Sequence, residues 1–171
     1  MRAAPAIFIA SVIATTAAYA AELPPRKPGL WEIKTSSDNR SAPGQTIQQC
    51  VDAATDRVMQ SGAYMRNACP KRDVQKSGNM ITIDSTCTVQ GKAVSSHTAI
   101  TGSFDSAYTM TVTSEGESGK TTVTMAAKWL GPCKADQKPG DMIMGNGTKI
   151  NILDIQKRGQ PGAAGAPAPS R

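Results

Sequence analysis

The alternation of apolar and polar positions marks most of this chain as β structure. Tyr108, Met110 and Val112 alternate with Thr109, Thr111 and Thr113, the period-2 pattern of a half-buried strand. Val123, Met125, Ala127 and Trp129 alternate in the same way with Thr122, Thr124, Ala126 and Lys128. Upstream, Ile81, Ile83, Cys87 and Val89 share one face of a run from Met80 to Val89. Val94, Ile100 and Phe104 are in register within Ala93 to Phe104, and Val74 lies in an earlier run. Ser77-Gly78-Asn79, Gln90-Gly91, Asp105-Ser106 and the polar stretch Ser114 to Gly119 separate these runs. Residues 71–130 thus predict a meander of about five antiparallel strands.

Two shorter strands are expected before it. Leu30 to Thr35 places Trp31 and Ile33 on one face, and Thr46 to Val51 follows a polar loop over 36–44. Asp52 is a good N-cap for a short helix over Ala53 to Gln60, with Val58 and Met59 as its apolar stripe and Gly62 as its stop. Residues 134–147, with Pro139, Gly140, Gly145 and Gly147, read mainly as loop. Ile150 to Ile155 is apolar without a clear period. The expected class is α+β, mostly β: a curved antiparallel meander sheet with one short helix against it, stapled by disulfides.

The ends read differently from the middle. Residues 1–20 have the form of an export signal: Arg2, an apolar run from Ala6 to Ala14, and the small-x-small pattern Ala18-Tyr19-Ala20. Cleavage is expected after Ala20. The apolar run is too short to span a membrane comfortably, so no transmembrane anchor is expected in the mature form. Residues 21–158 then form one domain, and the Gly, Ala and Pro-rich segment 159–171 has too little apolar area to order itself. This organisation places the mature protein in the periplasm or outside the cell.

Cys50, Cys69, Cys87 and Cys133 all fall in the mature part. An even count behind an export signal implies disulfides. No C-x-x-C pair exists for zinc or for redox exchange, and His97, the only histidine, is far from the cysteines in sequence. A three-residue loop at Ser77-Gly78-Asn79 would set Lys76 opposite Met80 and Cys69 opposite Cys87. That register predicts Cys69–Cys87, which leaves Cys50–Cys133. It also puts Val74 on the face away from Ile81 and Ile83, a defect that a one-residue bulge or a four-residue loop would repair.

Charge narrows the partners. The full chain carries +6, and loss of Arg2 with the signal leaves +5. The charges are scattered, and aromatics are too few for a nucleic-acid stacking surface. A mild excess of this sign reads first as an ordinary soluble surface, and otherwise suits an anionic envelope component such as lipopolysaccharide or a phospholipid headgroup.

Several short motifs together resemble a known family. Pro28-Gly29-Leu30-Trp31-Glu32, then Gln49-Cys50, then Trp129-Leu130-Gly131-Pro132-Cys133 and Pro139-Gly140-Asp141 are similar in order and spacing to the bacterial domain-of-unknown-function family 3617. The resemblance covers roughly residues 27 to 155. It implies a small exported protein of Gram-negative bacteria and supplies no catalytic residues.

Candidate chemistry is sparse. His97 falls on the outward face of its strand, and its neighbours Ser95 and Ser96 point to opposite faces from one another, so no Ser-His-Asp site is expected. Asp136, Asp141 and Asp154 lack calcium-loop spacing. Met142 and Met144 suit packing better than a copper site. The sequons at Asn39 and Asn146 are read as chance matches. Catalytic residues, metal and cofactors are therefore all expected to be none. Trp31, Met110, Met125 and Trp129 are the candidate ligand-binding residues, either as core anchors or as the apolar wall of a concavity for a small apolar or amphipathic ligand. The function expected is a non-catalytic binding or envelope-interaction module, with a carrier of such a ligand as the alternative.

Overall fold

The structure is a computed structural model that describes residues 23–38, 44–61, 69–117 and 119–157. The export segment 1–20, the Asn39 sequon, Gly62 and the tail 159–171 lie outside the described residues. Nine strands form one antiparallel sheet: β1 (Gly29–Ser37), β2 (Gln45–Val51), β3 (Lys71–Ser77), β4 (Met80–Val89), β5 (Lys92–Ser103), β6 (Ala107–Gly116), β7 (Gly119–Gly131), β8 (Asp141–Ile143) and β9 (Lys149–Asn151). Helix α1 (Ala53–Ser61) follows β2, and α2 (Ile152–Lys157) closes the described chain. The spatial order is β3-β4-β5-β6-β7-β1-β2-β8-β9. The five-strand meander is β3 to β7, and the N-terminal hairpin β1–β2 adds to its far end through β7.

The alternation explains the two faces. Trp31 and Ile33 lie opposite Trp129 and Ala127, and Met110 and Val112 opposite Met125 and Val123. Further along, Ile100 lies opposite Ile81, and Val74 opposite Ile83. All of these share one face, on which the core forms. Trp31, Ile33, Val51 and Ala127 make one buried cluster, and Ile81, Ile83 and Ile100 make another. Tyr108 packs against both, stacked on Phe104 at 4.7 Å between ring centres. The opposite face carries the intervening threonines, serines and charged side chains.

The register of the first hairpin of the meander corrects the expectation. Ser77 faces Met80, so the loop is the two residues Gly78-Asn79, not three. Gly78 has φ +60°, the first central position of a type II′ turn, which glycine adopts without steric cost. The shorter loop brings Val74 onto the core face beside Ile83. The disulfides are Cys50–Cys133 and Cys69–Cys87. Cys69 meets Cys87 even though Lys71 is already paired with Thr86, because Cys69 and Pro70 precede the ladder and are free of its register.

The C-terminal segment also departs from the expected loop. Asp141–Ile143 and Lys149–Asn151 form a hairpin that extends the sheet past β2, and α2 is a second helix. Side chains build this region. Asp141 accepts from the Lys138 amide at 2.9 Å and the Asn151 amide group at 2.8 Å. Burial raises the Asp141 pKa, but Asn151, the Lys138 amide and the Lys149 charge outweigh it, and the net direction is downward.

Asp52 caps α1 as its sequence position predicts. Its carboxylate accepts from the Thr55 amide at 2.8 Å and the Thr55 hydroxyl at 2.8 Å, and that hydroxyl accepts from the Asp52 amide at 3.0 Å. The Thr55 amide, followed by its hydroxyl, holds the Asp52 pKa below the usual 3.8. A depressed carboxylate stabilises the fold fully above its unfolded pKa and loses that contribution as pH falls through the folded value. Asp52→Asn keeps a capping acceptor at every pH. Thermal melts from neutral pH down to about pH 2 should show the wild type's Tm falling further than that of Asp52→Asn on acidification, by a small margin because the carboxylate is largely solvent-screened. Parallel acid profiles would contradict the cap's role.

Candidate functional site

The motif residues near the two ends of the chain meet in one joint. Leu30 pairs with Gly131 and Trp31 with Trp129, so Leu130 is the extra residue of a β-bulge. The Trp31 indole N–H donates to the Lys27 carbonyl at 2.8 Å, and the Trp129 indole N–H donates to the Pro28 carbonyl at 3.1 Å. The Lys27 ammonium lies 3.8 Å from the centre of the Trp129 ring, a cation–π contact. Gly29 has φ +133°, and a Cβ there would stand 2.4 Å from the Gly131 carbonyl oxygen and 2.6 Å from the Trp129 indole nitrogen. Only glycine fits. These motifs therefore secure the segment before β1 to the sheet.

Arg26, in that same segment, enters the core under α1. Its side-chain Nε donates to Asp56 at 2.6 Å, its backbone N–H donates to the other Asp56 oxygen at 2.8 Å, and Nη1 donates to Gln49 at 2.9 Å. Gln60 donates to Asp56 at 2.6 Å and to the Pro24 carbonyl at 3.1 Å. Arg26 and Asp56 are 6% and 0% exposed. Among the described residues every buried side-chain polar atom is hydrogen-bonded. Burial raises the pKa of the neighbouring Tyr108, which Asp56 reinforces and Arg26 opposes. This cluster is closed to solvent and fully partnered, so it acts as a clasp between the N-terminal segment and α1.

The candidate ligand residues separate in the structure. Trp31 is 0% exposed and is a core anchor, so it presents no surface to a ligand. Met110 and Met125 face one another across β6 and β7, half-buried in the packed face, and Trp129 is half-buried beneath Lys27. The groove found among the described residues opens on the opposite, polar face, with a volume of about 780 Å³.

Five strands line that groove, mainly in two cross-strand rows, with the intervening register row Arg72, Ser85 and Ser96 also reaching it. One row runs Lys71, Thr86, Ser95, Glu115, Lys120, and the next runs Asp73, Asp84, His97, Thr113. Arg72 and Pro70 border it at the sheet edge. Residues from all five strands β3 to β7 share this one groove. His97 Nδ1 lies 2.7 Å from Asp84 Oδ1, with both side chains more than half exposed. This partner follows from the two-residue turn Gln90-Gly91, which sets Val89 against Lys92 and so Asp84 against His97. Both turn residues have positive φ, the type I′ geometry that matches strand twist. Counting back from that turn is the signal that would have found Asp84.

Asp84, His97 and Thr113 stand at one register on three adjacent strands, an order reminiscent of a hydrolytic triad. The surroundings do not complete one. The pair is solvent-exposed, and the adjoining strands use their backbone N–H groups in the ladder, so among the described residues these strands offer no converging pair of amides to stabilise an oxyanion. No group of three or more metal-ligating side chains occurs among the described residues. What the groove offers is hydrogen-bonding groups and fixed charge.

The chain matches the family described as protein of unknown function (DUF3617) over residues 26–133 and belongs to that family. The match begins at Arg26 of the buried clasp and ends at Cys133 of the long-range disulfide. Comparison with curated proteins and with solved structures yields no match.

Proposed function

We propose that this protein is an exported, non-catalytic binding module of the bacterial envelope, with the polar groove across β3 to β7 as its recognition surface. The groove itself is the observation that carries this reading. Its volume is within the roughly 300–1,000 Å³ of ligand sites, and most of its lining is polar side chains on the face away from the core. Two disulfides and no free cysteine among the described residues fit a compartment outside the reducing cytoplasm. No helix among the described residues is long and apolar enough to cross a membrane. The sequence supports the periplasm as that compartment, with cleavage after Ala20.

Native mass spectrometry of protein purified from the periplasm tests the reading in one measurement. The expected result is a mature chain beginning at Ala21, with a retained ligand released on denaturation. Full-length chain recovered in the membrane fraction would contradict export. A mature chain that carries no ligand and captures none from envelope extract would contradict the binding role.

A further inference from the structure

We propose that β3 is an open sheet edge that adds an extended, acidic strand from a partner protein. β3 is the terminal strand of the sheet and pairs with β4 alone, so one side of its backbone has no ladder among the described residues. Unpaired strand edges are templates for another strand, and proteins usually blunt them. The opposite edge follows that rule: β9 is three residues long and runs directly into α2. β3 does not. It is seven residues long, pairs with β4 in one unbroken register, and exposes every side chain but Val74, which is half-buried. It is also held at both ends, by the Gly78-Asn79 turn and by the Cys69–Cys87 bridge just before it. An edge already fixed in the extended form loses little entropy when a strand joins it. Pairing along this edge does not require the groove to be filled.

The side chains decide which strand fits. By the alternation of the strand, Arg72 and Lys76 share the face of Val74, opposite Ser85, Ile81 and Ile83 on β4. Both cations are exposed, meet no acid across the ladder and form no ion pair among the described residues. Asp73, the one acid of β3, belongs to the other face, opposite Asp84. On the core-face side the edge therefore reads cation, valine, cation, and Val74 packs against the Ile81, Ile83 and Ile100 cluster. A partner strand with an acid, a β-branched residue and an acid at alternate positions would set unlike charges at both ends and an apolar pair between them. A second copy of β3 would not. In its fully overlapped antiparallel pairing Val74 would face Val74, and Arg72 would face Lys76 twice, which is repulsive. The same two cations thus exclude self-pairing and select an acidic strand.

The test is a titration of the 15N-labelled chain, disulfides intact, with the end-blocked peptide Thr-Glu-Thr-Val-Thr-Glu-Thr, which presents the same side-chain order in parallel or antiparallel alignment. Versions with both glutamates replaced by glutamine or by lysine serve as the comparison arms. The acidic peptide should give saturable shifts along Lys71–Ser77 and slow the hydrogen exchange of alternate β3 amides about tenfold or more, the mark of new ladder bonds. The glutamine peptide should bind about fivefold more weakly, and the lysine peptide more weakly still. Arg72→Glu/Lys76→Glu should reverse the order and favour the lysine peptide, with an unchanged melting temperature showing that the variant is folded. The peptide series on the unmodified chain decides the matter even if that variant does not fold. No saturable shift in β3 at millimolar peptide would refute the proposal. Equal binding of all three peptides would overturn the charge selection. Shifts without slowed exchange would reduce the contact to charge attraction and overturn strand addition. A dimer of the unmodified chain with its β3 amides already protected would assign the edge to a second copy and overturn the acidic partner.

Discussion

Asp56→Ala should destabilise the protein by about 3–5 kcal/mol, because it leaves the Arg26 guanidinium buried without its counter-ion. The arginine cannot relax into water without pulling the N-terminal segment off the sheet. That segment also holds Leu23 against Ile81, Ile83 and Ile100, and supplies the carbonyls that both tryptophans use. For a domain of this size the loss corresponds to a fall in Tm of about 10 °C or more. Replacing both partners, as Arg26→Met with Asp56→Leu, should recover more than half of it, since an apolar pair needs no counter-charge. Differential scanning calorimetry of the single and double variants measures both effects. A single variant within about 1 kcal/mol of wild type would show that the clasp contributes little to the fold.

The second large effect concerns the disulfides, and their order of importance is the test. Cys50–Cys133 closes a separation of 83 residues and Cys69–Cys87 one of 18. In the chain-entropy account, removing the first costs about 4.5 kcal/mol and removing the second about 3 kcal/mol. Urea unfolding of Cys50→Ala/Cys133→Ala and Cys69→Ala/Cys87→Ala variants should rank them in that order. The reverse ranking would mean that the short bridge stabilises by organising the sheet edge and that entropy is the lesser part.

Much of the sheet was legible because long strands carry long patterns. The alternation from Thr121 to Trp129 and from Tyr108 to Thr113 identifies β7 and β6 without ambiguity, and Asp52 announces α1 by its capping chemistry. Strands β8 and β9 escaped because each is three residues long, too short for a period, and glycines lie between them. The register of β3 against β4 turned on whether Ser77 belongs to the loop or to the strand, which hydrophobicity does not decide. The groove residues were visible one by one, but not their grouping. His97 and Asp84 are thirteen positions apart in sequence and become neighbours only once the register is known. Nothing in the local sequence sets the buried Arg26 apart from the exposed basic residues. Its burial follows from Asp56 thirty residues later, on an element with a pattern of its own.

The bridges are nested: the first cysteine joins the fourth, and the second joins the third. Cysteines oxidised strictly in order of emergence would pair Cys50 with Cys69 and then Cys87 with Cys133. Neither bond belongs to the folded protein. Cys50 sits in β2, whose neighbour β1 completes its ladder only when β7 arrives, so its thiol has to wait for nearly all of the domain. Efficient maturation therefore depends either on oxidation slower than sheet assembly or on a thiol–disulfide isomerase that reopens the premature Cys50–Cys69 bond. A compartment that oxidises faster than the sheet assembles and cannot shuffle disulfides would trap this chain, while one that also shuffles them would release it.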